Sequence, residues 1–189
     1  LSSKLNFRTT VYGNLENRDK PLLKNFKNIN LDNVFIKKNI SYTEKFYIEC
    51  LNINFKIIEI HNRPESLVYL IKKKVKGKLI FIFHNNPKEM RSSKSIKDRL
   101  FIAENTDQIY FVSNWVKNKF FEGLPYNYKN NCETLYPAIK PLKKFPKKEN
   151  IIIFSGKLNS SKGFDLFGKA VIKILDKFPQ WRAIAIGNE

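Results

Sequence analysis

The chain has two histidines, and both stand at the end of a short Ile- and Phe-rich run, in "KIIEIHNRP" (His61) and "LIFIFHNNP" (His84). Imidazole exchanges a proton near neutral pH without special perturbation, so each is a candidate general acid or base. A third run, "QIYFVSN", ends in a similar polar pair, Ser113 and Asn114. Further on, "FSGKLNSSKGFD" at 154–165 sets Gly156–Lys157 and Lys162–Gly163 around a polar turn. Glycines there let the backbone turn sharply and present N–H groups, and two lysines add cationic charge, a combination suited to a diphosphate. Each feature also has a plain structural reading. Asn after a histidine can cap the next helix and Pro suits its first turn. The lysine loop, on spacing alone, is equally a βα turn with surface lysines.

These residues need elements to position them. Runs rich in Ile, Phe and Val recur at "FRTTVYG", "KIIEIHN", "LIFIFHN", "QIYFVSN", "IIIFSG" and "RAIAIGN". The central four are short and continuous, as expected for strands buried on both faces. Helical patterns fill the gaps. "SYTEKFYIECL" opens with Ser41 and Glu44 at capping-box spacing, "SKSIKDRLFIAEN" follows the third run, and "SNWVKNKFF" opens at a Ser113/Asn114 cap. Phe164, Phe167, Val171, Ile174, Leu175 and Phe178 form one helical stripe that Pro179 stops. Strands alternating with helices at this rhythm predict an α/β fold with parallel sheets. The stretch 137–150, "PAIKPLKKFPKKEN", holds three prolines and five lysines and is expected to be a linker. The expected division is therefore 1–136, linker 137–150, and 151–189, the last being the opening βαβ of a second domain that is cut short.

Composition bounds the function. Of 189 residues, 42% are hydrophobic, with 16 Phe and 8 Tyr, which is ample for a packed core and excludes global disorder. No apolar run is long enough for a membrane span, and the first residues carry no apolar signal-peptide segment. The chain begins with Leu, so sequence upstream is expected. Cys50 and Cys132 form no metal or disulfide pattern, which fits a reducing, cytoplasmic setting. Lys plus Arg number 35 against 17 Asp plus Glu, a formal +18. Such a field favours an anionic membrane, phosphorylated substrates or nucleic acid, or it reflects lysine scattered throughout. Aromatics fall inside the strand and helix patterns, so no base-stacking face for nucleic acid is expected. Glu59 is placed within a strand and Glu65 at a helix start, which leaves little support for a paired-carboxylate mechanism.

A resemblance adds to this. "FSGKLNSSKGFDLFGKAVIKILDKFPQWRAIAIG" resembles the start of the C-terminal domain of family-4 retaining glycosyltransferases of the GT-B fold. "KIIEIHNRP", "LIFIFHNNP", "IYFVSNWVKNKF" and "TLYPAIK" resemble successive strand ends of that family's N-terminal domain. The match covers most of 56–189 and is loose over 1–55. It implies two Rossmann-like domains, both incomplete here, with a nucleotide-sugar donor in the cleft between them. It implies transfer of a sugar to a glycan or glycolipid hydroxyl with retention, in surface-glycan or lipopolysaccharide synthesis, at a basic surface on the inner face of the cell membrane. By position, Gly156, Lys157, Lys162 and Gly163 would hold the donor diphosphate, with Lys157 where Arg is more usual, and His84 would face the reacting carbon. His61, Asn62, Arg63, Asn85 and Ser113 would line the acceptor side or cleft. The family generally works without a metal, so no cofactor is expected. A glycine-rich loop at the start of the family's first domain and its Glu–Glu motif are missing, so this chain alone is expected to be inactive. A basic nucleic-acid-binding module and a non-catalytic nucleotide-binding domain are the alternatives.

Overall fold

A computed structural model describes residues 8–13, 24–29, 41–125, 131–139, 141, 144–145 and 147–188. Phe7 of the first expected strand, Lys140, Leu142, Lys143 and Pro146 of the expected linker, and Glu189 lie outside them. The chain divides into two compact units, Leu1–Ala138 and Ile139–Glu189, and the division falls within the Pro- and Lys-rich stretch 137–150. Strands and helices alternate and every strand pair is parallel, a Rossmann-like α/β topology.

The first unit is built around a four-stranded sheet of β3 (Ile57–His61), β4 (Lys78–Phe83), β5 (Gln108–Phe111) and β6 (Cys132–Thr134), in that order. Between them run α2 (Pro64–Lys72), α3 (Ile96–Asn105) and α4 (Asn114–Phe121). Ahead of these lie β1 (Val11–Gly13) and β2 (Phe26–Asn28), paired in a sheet of their own, and α1 (Tyr42–Asn52). The Ser41/Glu44 capping box forms as the sequence predicts. A matching box at Ser95 and Asp98 opens α3, and the Ser113 hydroxyl oxygen accepts the Val116 amide at the start of α4.

Burial on both faces, expected of the central runs, is reached at the end of β4, where Phe81, Ile82 and Phe83 are all buried, but not in β3 or β5. β3 alternates exposed and buried along its length, and β5 alternates partly and fully buried residues. Strand order explains this. Successive strands lie side by side, so a right-handed crossover at each step puts α2, α3 and α4 on the same face. There Ile58, Ile60, Phe81, Phe83, Ile109 and Phe111 pack with Leu67 and Leu70 of α2, Ile102 of α3, and Val116 and Phe120 of α4. The opposite face carries Ile57, Glu59 and His61 of β3, all exposed.

Arg99 of α3 is a buried cation, 2% exposed, that ties this unit together. Its Nε donates to the Phe120 carbonyl at 2.7 Å. One terminal nitrogen donates to the carbonyls of Lys94 at 2.7 Å and Ser93 at 3.4 Å, the other to Glu122 at 2.7 Å. The Ser93 hydroxyl in turn donates to the Pro87 carbonyl at 2.6 Å. The segment after β4 is thereby pinned to the end of α4.

The second unit is β7 (Ile151–Ser155), α5 (Phe164–Lys177) and β8 (Arg182–Ile186), with a single 3-10 turn, Ser160–Lys162, ahead of the helix. Phe154 meets Phe164 and Phe167 at ring-centroid distances of 5.2 and 5.3 Å, which seats α5 on one sheet face. Ile153, Ile184 and Ile186 of the two strands stay exposed.

Candidate functional site

The carboxyl ends of β3 and β4 bring both histidines together. His61 is the last residue of β3, and His84 follows β4 directly. The register pairs His61 with Ile82. Two residues beyond Ile82, at strand period, His84 returns to the same face. The His61 Nδ1 lies 3.0 Å from the His84 Nε2, with ring centroids 5.3 Å apart. On its other side the His61 Nε2 lies 2.6 Å from the Glu59 Oε1. The result is a hydrogen-bonded line, Glu59–His61–His84, on the sheet face away from the three helices.

Asn62 fixes the spacing of the line. Sequence left it open as a helix cap or an acceptor-side residue; Arg63 occupies the N-cap position of α2 and no side chain caps that helix. Asn62 instead takes a left-handed backbone, φ 53°, a conformation Asn tolerates better than most residues. Its amide donates to the Ile82 carbonyl at 2.9 Å, and its Oδ1 accepts the amides of His84 and Asn85, both at 3.1 Å. The two strand ends are therefore held in register just where the imidazoles meet. The Arg63 guanidinium lies 5.7 Å over the Tyr42 ring, a cation–π contact. Ser113 stands one strand further along, at the end of β5, with its hydroxyl oxygen engaged in the α4 cap. After β4, Asn86 caps the 3-10 turn Pro87–Glu89 through its Oδ1, which accepts the Lys88 amide.

The line's electrostatics follow from its neighbours. The hydrogen bond from His61 holds the Glu59 carboxyl below the usual range, so it stays an acceptor. Burial, followed by the nearness of His61, pushes the His84 imidazole below its ordinary value, which disfavours charge on that ring. Among the sequence candidates Glu59 was missing. Its signal was the strand period of two, which puts residues 59 and 61 on one face. Among the described residues no group of three or more His, Cys, Asp or Glu side chains is placed to hold a metal ion.

In the second unit the lysine loop departs from expectation in one respect. Gly156 was to let the backbone turn and present N–H groups, but its own amide donates to the Ile186 carbonyl at 3.0 Å, and the Leu158 amide donates to the Asn188 carbonyl at 2.9 Å. The parallel ladder thus runs past the strand ends. It also forces Gly187 against Gly156, where an added Cβ would meet the Gly156 oxygen at 1.7 Å. Gly163 behaves as expected. It takes φ 77° as the N-cap of α5 and has open space where a Cβ would stand. With no side chain to cap the helix, the amides of Asp165 and Leu166 have no intrahelical acceptor. Lys157 and Lys162 are exposed beside this end, and among the described residues neither is drawn into an ion pair. Asp165 puts a carboxylate in the same first turn.

Among the described residues no helix is long and apolar enough to cross a membrane. Compared with protein families and with curated proteins, the chain matches none.

Proposed function

We propose that this chain is part of a retaining glycosyltransferase of the GT-B type, which moves a sugar from a nucleotide-sugar to a glycan or glycolipid hydroxyl. The observation that carries the reading is where the histidines stand. Both lie hydrogen-bonded at the carboxyl ends of adjacent parallel strands, the edge at which α/β sheets receive ligands. The reaction class comes from the sequence resemblance, carried by the strand ends and by "FSGKLNSSKGFD". In this reading Lys157 and Lys162 take the donor diphosphate with the free amides at the start of α5. Charge grows on the leaving phosphate as its bond to the sugar breaks, and fixed cations there favour the transition state over the ground state. Lysine in place of the more usual arginine keeps the charge and gives up the bidentate fork. His84 serves the reacting end, and the lysines supply the electrostatics that a metal would otherwise bring. The formal +18 suits an acceptor at an anionic membrane surface.

Isothermal titration against a panel of nucleotide-sugars tests the ligand class. Nucleoside diphosphates and their sugars are expected to bind more tightly than the monophosphate, with and without EDTA. Indifference to the second phosphate, together with salt-dependent retention on DNA, would overturn the reading in favour of a nucleic-acid-binding module.

A further inference from the structure

The line Glu59–His61–His84 holds more than an arrangement of polar groups, because its hydrogen bonds leave few ways to place the protons. An ionised Glu59 can only accept, so the His61 Nε2 at 2.6 Å must carry a hydrogen. The remaining contact, His61 Nδ1 to His84 Nε2 at 3.0 Å, needs one hydrogen between its two nitrogens. With both rings neutral, His61 Nδ1 is bare and accepts from the His84 Nε2–H, which leaves the His84 Nδ1 bare at the outer end. With one more proton on the line, His61 carries both of its hydrogens and donates to a bare His84 Nε2. His84 is then a neutral ring with its hydrogen on Nδ1.

From this geometry we infer that Glu59, His61 and His84 form a two-imidazole proton relay, with the His84 Nδ1 as its working atom and the positive charge lodged on His61. The step balances. A hydroxyl gives its proton to the His84 Nδ1, the His84 Nε2 proton passes to the His61 Nδ1, and the resulting His61 imidazolium faces the Glu59 carboxylate. Resting on the glycosyl-transfer reading, that hydroxyl is the acceptor's. Its oxygen bonds the sugar carbon while the carbon–phosphate oxygen bond breaks and its electron pair leaves with the diphosphate. The relay then returns its proton to solvent. Glu59 and His61 are positioning residues, acting through His84. Asn62 holds the distance by accepting the backbone amides of His84 and Asn85. The depression of His84 towards its neutral form agrees with charge residing on the inner ring. Arg63, two residues after His61, carries its guanidinium over the Tyr42 ring.

The test is long-range 1H–15N spectroscopy of the two imidazoles in the intact chain, which separates protonated from bare ring nitrogens. At pH 8 the expected result is His84 with hydrogen on Nε2 and bare Nδ1, and His61 with hydrogen on Nε2. With one proton added to the line, the His84 hydrogen is expected to move from Nε2 to Nδ1. Glu59→Gln, on an exposed face where the core is not disturbed, lets an amide both donate and accept, so His84 should become a mixture of tautomers at pH 8. His61→Asn should uncouple His84 from Glu59, so that its tautomer no longer follows the Glu59→Gln change. A wild-type His84 that carries its hydrogen on Nδ1 at pH 8, or one whose tautomer ignores Glu59→Gln, would overturn the relay. The readout needs no turnover, so a chain that shows this pattern yet binds no nucleotide-sugar retires the glycosyl-transfer reading and leaves the relay standing.

Discussion

Replacing Arg99 by Met removes a buried charge and its four hydrogen bonds while keeping most of the stem's packing volume. Three of the four bonds are 2.7 Å long, and the fourth, to Ser93 at 3.4 Å, contributes little. A hydrogen bond from a charged donor contributes about 1.5–3 kcal/mol, and an acceptor left buried and bare costs about 1–3 kcal/mol. The Phe120 carbonyl is fully buried and would carry that full cost. The Lys94 and Glu122 bonds are only part-buried, so water can replace much of what they lose. Against these losses, methionine no longer has to desolvate a guanidinium. The net expectation for Arg99→Met is a loss of about 2–4 kcal/mol. Arg99→Lys keeps the charge, but a single ammonium cannot span carbonyls from both segments, so it should rescue less than half of this. Urea unfolding followed by circular dichroism is the assay. With a slope of about 2 kcal/mol per molar for a unit of this size, the midpoint for Met should fall by roughly 1–2 M. Because Arg99 and Ser93 pin the segment after β4, the His84 ring signals should broaden in the same variant. A Met variant within about 0.5 kcal/mol of wild type at equal slope would refute the view of Arg99 as the tie between these segments.

Two further outcomes follow from the same structure. The Glu122 carboxyl is pulled down to about 2 by hydrogen bonds from Lys88 and then Lys119, at 2.7 and 2.9 Å. Its folded-state value lies below its unfolded one, so its contribution is complete above the ordinary carboxylate range and is lost as pH falls through about 2. The stability gap between wild type and Glu122→Gln should therefore close as pH is lowered from about 5 towards 2, and a gap constant with pH would contradict this. In the second unit, Gly163→Ala meets no atom and costs only the left-handed backbone penalty of about 1–2 kcal/mol. Gly187→Ala drives a methyl into the Gly156 carbonyl. Hydrogen exchange at the Gly156 and Leu158 amides should accelerate much more in the Gly187 variant, and equal protection in both would show that the strand ends do not need that close approach.

What the sequence revealed was mostly local. Ser41 and Glu44 sit three residues apart, and such a cap depends on nothing beyond one turn of helix; the Ser95/Asp98 box has the same spacing and went unread. β1, β3, β4, β5, β7 and β8 were legible from their Ile, Phe and Val content, whereas the three-residue strands β2 and β6 were not, and Pro179 marked the end of α5. Burial on both faces was misjudged for β3 and β5 because cover depends on strand order, which a run of isoleucines does not encode. Asn62 looked like a cap because Asn before a Pro-led helix usually is one. Its true partners, the amides of His84 and Asn85, are 22 and 23 residues away. The same distance hid the relay. Both histidines were visible as strand-end residues, but their contact and the part played by Glu59 needed the β3–β4 register. Gly156 was legible as a special position, but its bond to β8 was not, because the Ile186 carbonyl is 30 residues away. The close approach of the two strand ends explains why Gly187 lacks a side chain, whereas a Cβ on Gly156 would meet only Phe154 carbons at 3.7 Å.

The central claim is that the loop from Gly156 to Gly163 grips a nucleotide diphosphate, and backbone amide shifts during titration with uridine and guanosine diphosphates test it most directly. The account predicts that the largest shifts fall on Asp165 and Leu166, whose amides have no intrahelical acceptor, while the Gly156 and Leu158 amides, already bonded to β8, and the Gly163 and Phe164 amides, bonded to Ser160 and Asn159, move little. Lys157→Ala and Lys162→Ala should each weaken binding by about 10- to 150-fold, the equivalent of about 1.5–3 kcal/mol for a charged hydrogen bond. Their losses should be less than additive in the double variant, since both serve one ligand. Shifts centred elsewhere in the chain, or lysine variants that bind diphosphate as tightly as wild type, would contradict the claim and leave the loop as a turn between strand and helix.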